Sequence, residues 1–292
     1  HRRMSQSRRW LEVRVRSPVS ADRSALLADA IVGSGARGVE ERAGWFIAWF
    51  EEPDDSVAFV AELHETLIRE TYLDRIHLEH DWQEHEEWAE TWKRGLVSRR
   101  VTDRIVIHPS WIEPLDVSEA DIVIELDPGM AFGTAEHGTT RGCLRLLDGL
   151  VQPGDRLLDI GAGSGILAIA AARLGAASVV AIEADSLACE AMRENVERNG
   201  VDEQIEIVEG FATTENIADR GPASGIVANI EAGLLAPLFD GCASALPAGS
   251  WMIVSGILDH EWAGVEESIV ARGFSVQAVD ADGEWRSGRF DR

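Results

Sequence analysis

Residues 157–167 read LLDIGAGSGIL, with glycines at 161, 163 and 165 directly behind an acidic residue, Asp159. An apolar strand pattern runs into this loop, and an Ala-rich helical pattern runs out of it from Ile166 to Leu174. Glycine carries no Cβ, so such a loop can turn sharply and let a ligand approach the main chain. The first turn of the following helix adds unpaired N–H groups. Glu183 ends the next strand pattern, SVVAIE, 22 residues beyond Gly161. A carboxylate there can accept charge-assisted hydrogen bonds from both hydroxyls of a ribose, or it can cap the next helix. Asp185, just ahead of Ser186, is better placed for that cap. Asn229 closes the apolar strand of GIVANIEAG. Ligands of doubly wound sheets bind at that carboxyl edge, where Asn229 either faces the ligand or only turns the chain.

A dinucleotide fingerprint GxGxxG needs glycine at 166, and this chain has Ile166. GxGxG behind a strand-terminal Asp is similar instead to the class I methyltransferases that use S-adenosylmethionine. Upstream lies DPGMAFGTAEHGTT, residues 127–140. This stretch, DIGAGSGILAIAA, the acidic strand tip, VANIEAG, SGIL and a final Trp-containing strand together resemble the bacterial ribosomal protein L-eleven methyltransferase (PrmA) family. The resemblance extends over most of the chain, including a Trp-rich connector ending in HPSW. It implies S-adenosylmethionine as cofactor, held by Thr140, Gly161, Gly163, Glu183 and Asn229, with Phe132 and Thr134 nearby. It implies methylation of lysine side-chain and α-amino groups of that ribosomal protein, recognised by the N-terminal domain. Two positions depart from the family pattern AFGTGxHxTT: Ala135 replaces a glycine, and Gly138 stands before Thr139-Thr140. If position 135 needs a positive φ, alanine there costs about 1 kcal/mol. No catalytic residue is assigned; His137 is read as ordering its loop. The alternatives are another protein substrate within the family, a binding module without turnover, or a nicotinamide-dependent oxidoreductase.

The elements that position these residues fall into two patterns. From Trp10 to about Trp82 the order is strand, helix (Ser20 to Val32), two short strands around Ala43-Gly44, helix (Ser56 to Tyr72), strand. This βαββαβ order predicts a small α+β ferredoxin-like sheet. From Asp121 onward strands alternate with helices, which predicts a Rossmann-like, mostly parallel doubly wound α/β sheet. FSVQAV and EWRSGRF follow each other without a helix, so an antiparallel edge strand closes it. The expected division is 1–82, a substrate-recognition domain; 83–120, the Trp-rich connector, with Trp88 and Trp92 on a short helix; and 121–292, the methyltransferase domain.

Cys143, Cys189 and Cys242 are scattered singly, which argues against a disulfide framework or zinc cage and for a reducing, cytoplasmic compartment. The sequence HEEWA lacks the second histidine of HExxH, so no metal is expected. The apolar runs are far shorter than the ~20 residues that span a bilayer. The opening HRRMSQSRRW has no apolar stretch behind it, which argues against a secretory signal; a start at Met4 is expected. The formal net charge is -24, which disfavours binding to nucleic acid or anionic membrane and favours cationic partners. The resemblance implies a monomer acting on a ribosomal protein. Lys93 is the only lysine, so arginine supplies nearly all the positive charge. Such an excess of Asp and Glu repels itself unless salt screens it. Thermal stability is therefore expected to rise between low and molar KCl; a melting temperature indifferent to KCl removes salt adaptation as the explanation and leaves codon composition.

Overall fold

Alternating apolar residues in WLEVRV and WFIAWF place Leu11, Val13 and Val15 of one strand beside Phe46, Ala48 and Phe50 of another, all buried on one face. In the computed structural model the described residues are 9–16, 27, 30–31, 33–36, 38–42, 45–53, 55–71, 75–84, 97–114, 116–127 and 137–292. The chain forms two compact units, residues 1–95 and 96–292.

In the first unit β1 (Arg9–Arg16) is central. It pairs antiparallel with β3 (Trp45–Glu51) and β4 (His77–Glu84), and β2 (Gly38–Arg42) flanks β3. The order β2-β3-β1-β4 realises the small antiparallel sheet expected from the sequence. Leu63 and Leu67 of α1 (Ser56–Thr71) and the helical Leu27 and Ile31 cover its apolar face. The 43–44 turn, Trp88 and Trp92 lie outside the described residues.

The second unit is built on a seven-stranded sheet of order β10-β9-β8-β11-β12-β14-β13. Its strands are β8 (Arg156–Ile160), β9 (Ser178–Glu183), β10 (Ile205–Glu209), β11 (Gly225–Asn229), β12 (Trp251–Leu258), β13 (Ser275–Asp282) and β14 (Trp285–Asp291). The first five of the spatial order run parallel; β14 and β13 close the far side antiparallel. The helices α2 (Gly138–Leu147), α3 (Ile166–Leu174) and α4 (Ser186–Arg198) contribute Leu144, Leu147, Ile166, Ile169, Met192 and Val196 to one core layer. The opposite layer holds Ile217 of α5 (Thr214–Ala218), Phe239 and Cys242 of α7 (Phe239–Ala245) and Ile269 of α8 (Asp259–Val270).

Two features differ from the sequence expectation. Arg99–His108, read as connector, contains β5 (Arg99–Arg100) and β6 (Ile105–His108). These join β7 (Ile122–Glu125) in a separate three-stranded sheet, so the VIEL strand stands outside the main one. The helical sequence pattern over Leu234–Leu246, which reads as one helix, is broken into α6 (Ala232–Leu235), a 3-10 turn (Ala236–Leu238) and α7. Pro237 lacks the N–H that a continuous helix requires. All three cysteines are buried in helices. Among the described residues no helix is long and apolar enough to cross a membrane.

Helix α2 is fixed to the closing strands at close range. Arg141 forms a two-pronged pair with Asp282 (3.0 and 2.9 Å), and Arg145 does the same with Asp280 (2.7 and 2.6 Å). Arg145 also reaches Asp282, at 3.0 Å. The Arg141 hydrogen bond, with Arg145 behind it, pulls the Asp282 carboxyl down to about 2. Between the arginines, a Cβ on Gly142 would overlap the Ser287 hydroxyl and sit 2.9 Å from Ser287 Cβ. Alanine in a helix is favoured over glycine by about 1 kcal/mol, whereas overpacking costs about 1–3 kcal/mol. Ser287 is buried and hydrogen-bonded, so it cannot swing away cheaply. Gly142→Ala is expected to lower unfolding free energy by about 1–2 kcal/mol in urea titrations; a stabilised variant means that the helix stands further from β14.

Candidate ligand site at the carboxyl edge of the sheet

From β8 the chain winds outward through β9 and β10, then crosses back to β11 and β12 on the other side. The crevice between the ends of β8 and β11 is therefore the switch point at which such sheets bind ligands. The loop behind β8 wraps around the tip of β9: Gly161 and Ala162 both donate to the Ile182 carbonyl, at 2.9 and 3.1 Å. Gly161 and Gly165 have φ of 70° and 81°, in the left-handed region. A Cβ at Gly161 would overlap the Ile230 side chain, and one at Gly165 would lie 2.6 Å from Met192 Cγ.

Glu183 faces this loop. One carboxylate oxygen accepts from the Gly163 N–H at 2.8 Å, the other from the Asp185 N–H at 2.8 Å. Asp185 caps α4 by accepting from Leu187 N, as expected. Across the crevice Asn229 Nδ2 donates to Thr140 Oγ1 at 3.4 Å, in the first turn of α2. Thr140 is fully buried. Of the residues expected at the site, Gly161, Gly163 and Glu183 are thus in one cluster and Thr140 and Asn229 in another; Ile230, which follows Asn229 in the chain, meets Gly161. Phe132, Thr134 and Ala135 lie outside the described residues.

The start of α2 is held from below and from the side. Ser255 Oγ donates to the Thr139 carbonyl at 3.1 Å and shares a 2.6 Å hydrogen bond with Ser287 Oγ. The His137 imidazole hydrogen-bonds Thr139 Oγ1 through Nδ1 at 2.7 Å and packs 5.1 Å from the Trp285 ring. Burial, and then the nearby Arg141 charge, lower the His137 pKa below its usual value, so the ring is neutral at neutral pH. It orders the helix start.

One further group went unassigned in the sequence. Asp159 is 2% exposed, and neither carboxylate oxygen has a hydrogen-bond partner. Burial raises its pKa to about 7; the Ala168 N–H lowers it somewhat and the Glu183 charge raises it further. An acid inside an otherwise apolar strand pattern, RLLDI, was the available signal. Asn229 Oδ1 is likewise buried and unpartnered. The site therefore holds acceptors that lack donors.

A family model described as ribosomal protein L11 methyltransferase (PrmA) matches residues 14–292. The chain belongs to the PrmA family. A ribosomal protein L11 methyltransferase from Pelotomaculum thermopropionicum is 44% identical over 202 residues, 68% of this chain and 64% of the relative. One from Clostridium botulinum (strain Alaska E43 / Type E3) is 41% identical over 244 residues, 82% of this chain and 76% of the relative. The chain thus spans just under two thirds of the Pelotomaculum protein's length. A crystal structure of ribosomal protein L11 methylase from Lactobacillus delbrueckii subsp. bulgaricus matches with TM-score 0.61 and 30% identity, over 67% of this chain and 98% of that one. PrmA membership disfavours the nicotinamide alternative, in line with Ile166 in place of a third fingerprint glycine.

Asp159 makes stability depend on pH with a definite sign. Its native pKa of about 7 lies above the ~3.9 of an unfolded aspartate. The native state therefore holds the proton more tightly. The resulting stability is complete below about pH 4 and is lost as pH rises through about 7. Asp159→Asn keeps the shape and removes the charge. In urea unfolding of the ligand-free protein, the variant is expected to match the parent near pH 4.5 and to exceed it by about 2–4 kcal/mol at pH 8. A difference that does not change with pH means that Asp159 titrates normally.

Proposed function

We propose that this PrmA-family chain is a protein methyltransferase that uses S-adenosylmethionine to methylate lysine side-chain and α-amino groups of ribosomal protein L11. The observation that carries the proposal is the pair of orphaned acceptors, Asp159 and Asn229 Oδ1, at the switch point of a PrmA-family sheet. An ionised carboxylate buried without a cation is costly, and a ligand bearing both a sulfonium and an ammonium supplies the missing charge. S-adenosylmethionine, when bound, supplies the methyl group at its sulfonium.

The chain's own residues fit that ligand in distinct ways. The loop at Gly161 and Gly163 offers main chain for close approach. Glu183 keeps lone pairs beyond the two it gives to Gly163 and Asp185, and these serve the ribose hydroxyls. Phe211, next to the Gly210 N–H that bonds the Glu183 carbonyl, is 81% exposed and offers an apolar surface at the same strand tip. Thr140 takes the Nδ2 end of Asn229, so the Oδ1 end is the one left for the incoming amine. We assign recognition of the ribosomal protein to the four-stranded N-terminal unit.

The amine must lose its proton before it attacks. A lysine with pKa ~10.4 is only ~0.1% neutral near pH 7.4, equivalent to roughly 4 kcal/mol. Desolvation beside a cation lowers that pKa by burial and by like charge, and Asn229 Oδ1 orients the nitrogen. An α-amino group, with pKa near ~8, starts closer to neutral. With His137 neutral and committed to Thr139, the proton leaves to solvent.

Titration calorimetry with S-adenosylhomocysteine is expected to show binding, and with NAD none. Glu183→Ala is expected to weaken S-adenosylhomocysteine about 10- to 100-fold, the loss of one to two hydrogen bonds to a charged acceptor. Incubation with labelled methyl donor and purified L11 is expected to label L11. Binding without transfer overturns the substrate assignment; NAD binding in place of S-adenosylhomocysteine overturns the enzyme class.

A further inference from the structure

Asn195 of α4 is fully buried, and its amide is used at both ends. Nδ2 donates to the Ser164 carbonyl, inside the glycine loop, at 3.0 Å. Oδ1 accepts from the Asp127 N–H at 3.0 Å, just past the end of β7. Ser164 and Asp127 are 37 residues apart in sequence, and one side chain ties them together. One turn further along, the Asn199 side chain reaches β7 and its own helix but not the glycine loop: it accepts from Glu125 N at 3.1 Å and donates to Glu125 O at 2.7 Å and to Asn195 O at 2.8 Å. Arg198 adds an ion pair with Asp127, whose carboxylate also takes the Ser110 N–H and hydroxyl at 2.9 and 2.7 Å. On the loop side, Met192 of the same helix closes against Gly165.

A single face of α4 thus presses on the glycine loop and holds the end of β7, from which the chain proceeds to residues 137–140. A buried amide satisfied by two main-chain groups is costly to remove, because it leaves both groups unpaired. We propose that Asn195 is a positioning residue that couples the glycine loop of the cofactor site to the end of β7, fixing the loop's place against that strand. This rests on the methyltransferase reading of that site. Asn195 touches neither cofactor nor substrate in this assignment; it acts through Ser164 and Asp127.

The roles of Asn195 and Asn199 separate in hydrogen–deuterium exchange on the ligand-free full chain. Asn195→Ala is expected to raise exchange in both the 161–166 loop and the 125–127 segment, whereas Asn199→Ala raises it only in 125–127. Calorimetry is expected to show S-adenosylhomocysteine binding weakened at least tenfold by Asn195→Ala. Ile269→Ala, a core change in α8, is the control for destabilisation as such and is expected to lower the denaturation midpoint while leaving binding within twofold of the parent. Should Asn195→Ala not fold, Asn195→Ser removes the same two hydrogen bonds and gives the same exchange pattern. Exchange confined to one segment in the Asn195 variant, or equal weakening by the core control, overturns the coupling. A parent protein that fails to bind S-adenosylhomocysteine overturns the methyltransferase reading instead, and the exchange comparison still decides whether Asn195 couples the two segments.

Discussion

The site depends on how closely main chain approaches main chain where β8, β11 and β12 end. The Ile230 side chain occupies the space that a Cβ on Gly161 would need, and an atom added at Gly256 would be 2.8 Å from the Ile230 carbonyl oxygen. Side chains at either glycine would push Ile230 outward. Asn229, one residue earlier, would move with it and lose Thr140. The glycines matter less as flexible points than as places where an adjoining strand end can be set down against another. Once that spacing is fixed, the polar groups of the crevice have their positions.

The second constraint comes from the other side of the crevice. Helix α2 reaches the sheet with a face of small residues, and several of its polar contacts are made to strands that arrive late in the chain. Ser255 of β12 and Ser287 of β14 form a buried hydroxyl relay to the Thr139 carbonyl. Arg141 and Arg145 meet Asp282 and Asp280 of β13. These pairs are only partly exposed, so they are screened less than open surface pairs. Their two-pronged geometry needs the planar fork of arginine, which a lysine ammonium cannot reproduce. Arginine at these positions is structural, whatever the reason for the scarcity of lysine elsewhere.

Much of the architecture was legible because its signals are local. Strand runs such as RLLDI and SVVAIE, the Asp185 cap and the start of α3 at Ile166 all follow from neighbours within a few residues. The sheet of β5, β6 and β7 was not legible, since strands of two and four residues carry too little periodicity to stand out from a connector. The break at Pro237 could have been anticipated from the missing N–H. Glu183 was assigned to a ribose or to a cap, and its contacts show it also holding the Gly163 N–H, a partner 20 residues away. The asparagines of ENVERNG were harder still. Their partners at Ser164, Asp127 and Glu125 lie 31 to 74 positions away, and nothing in a helical pattern marks a polar residue as buried.

Asp159 shows why such a site resists being read from sequence and also why it works. In a folding-only account a carboxyl on the central strand, flanked by Ala181 and Val227 on the neighbouring strands, is a mistake. Desolvation favours its protonated form, and the Ala168 N–H offsets that only in part. A cationic ligand reverses that balance, because its charge stabilises the ionised carboxylate that burial penalises. The same free energy then appears twice, as instability of the empty site at high pH and as affinity for the ligand. Stability and binding are therefore linked through one proton: the empty protein weakens from about pH 4 upward, and the loss is complete near pH 7, where Asp159 ionises and the site is ready to take a cation.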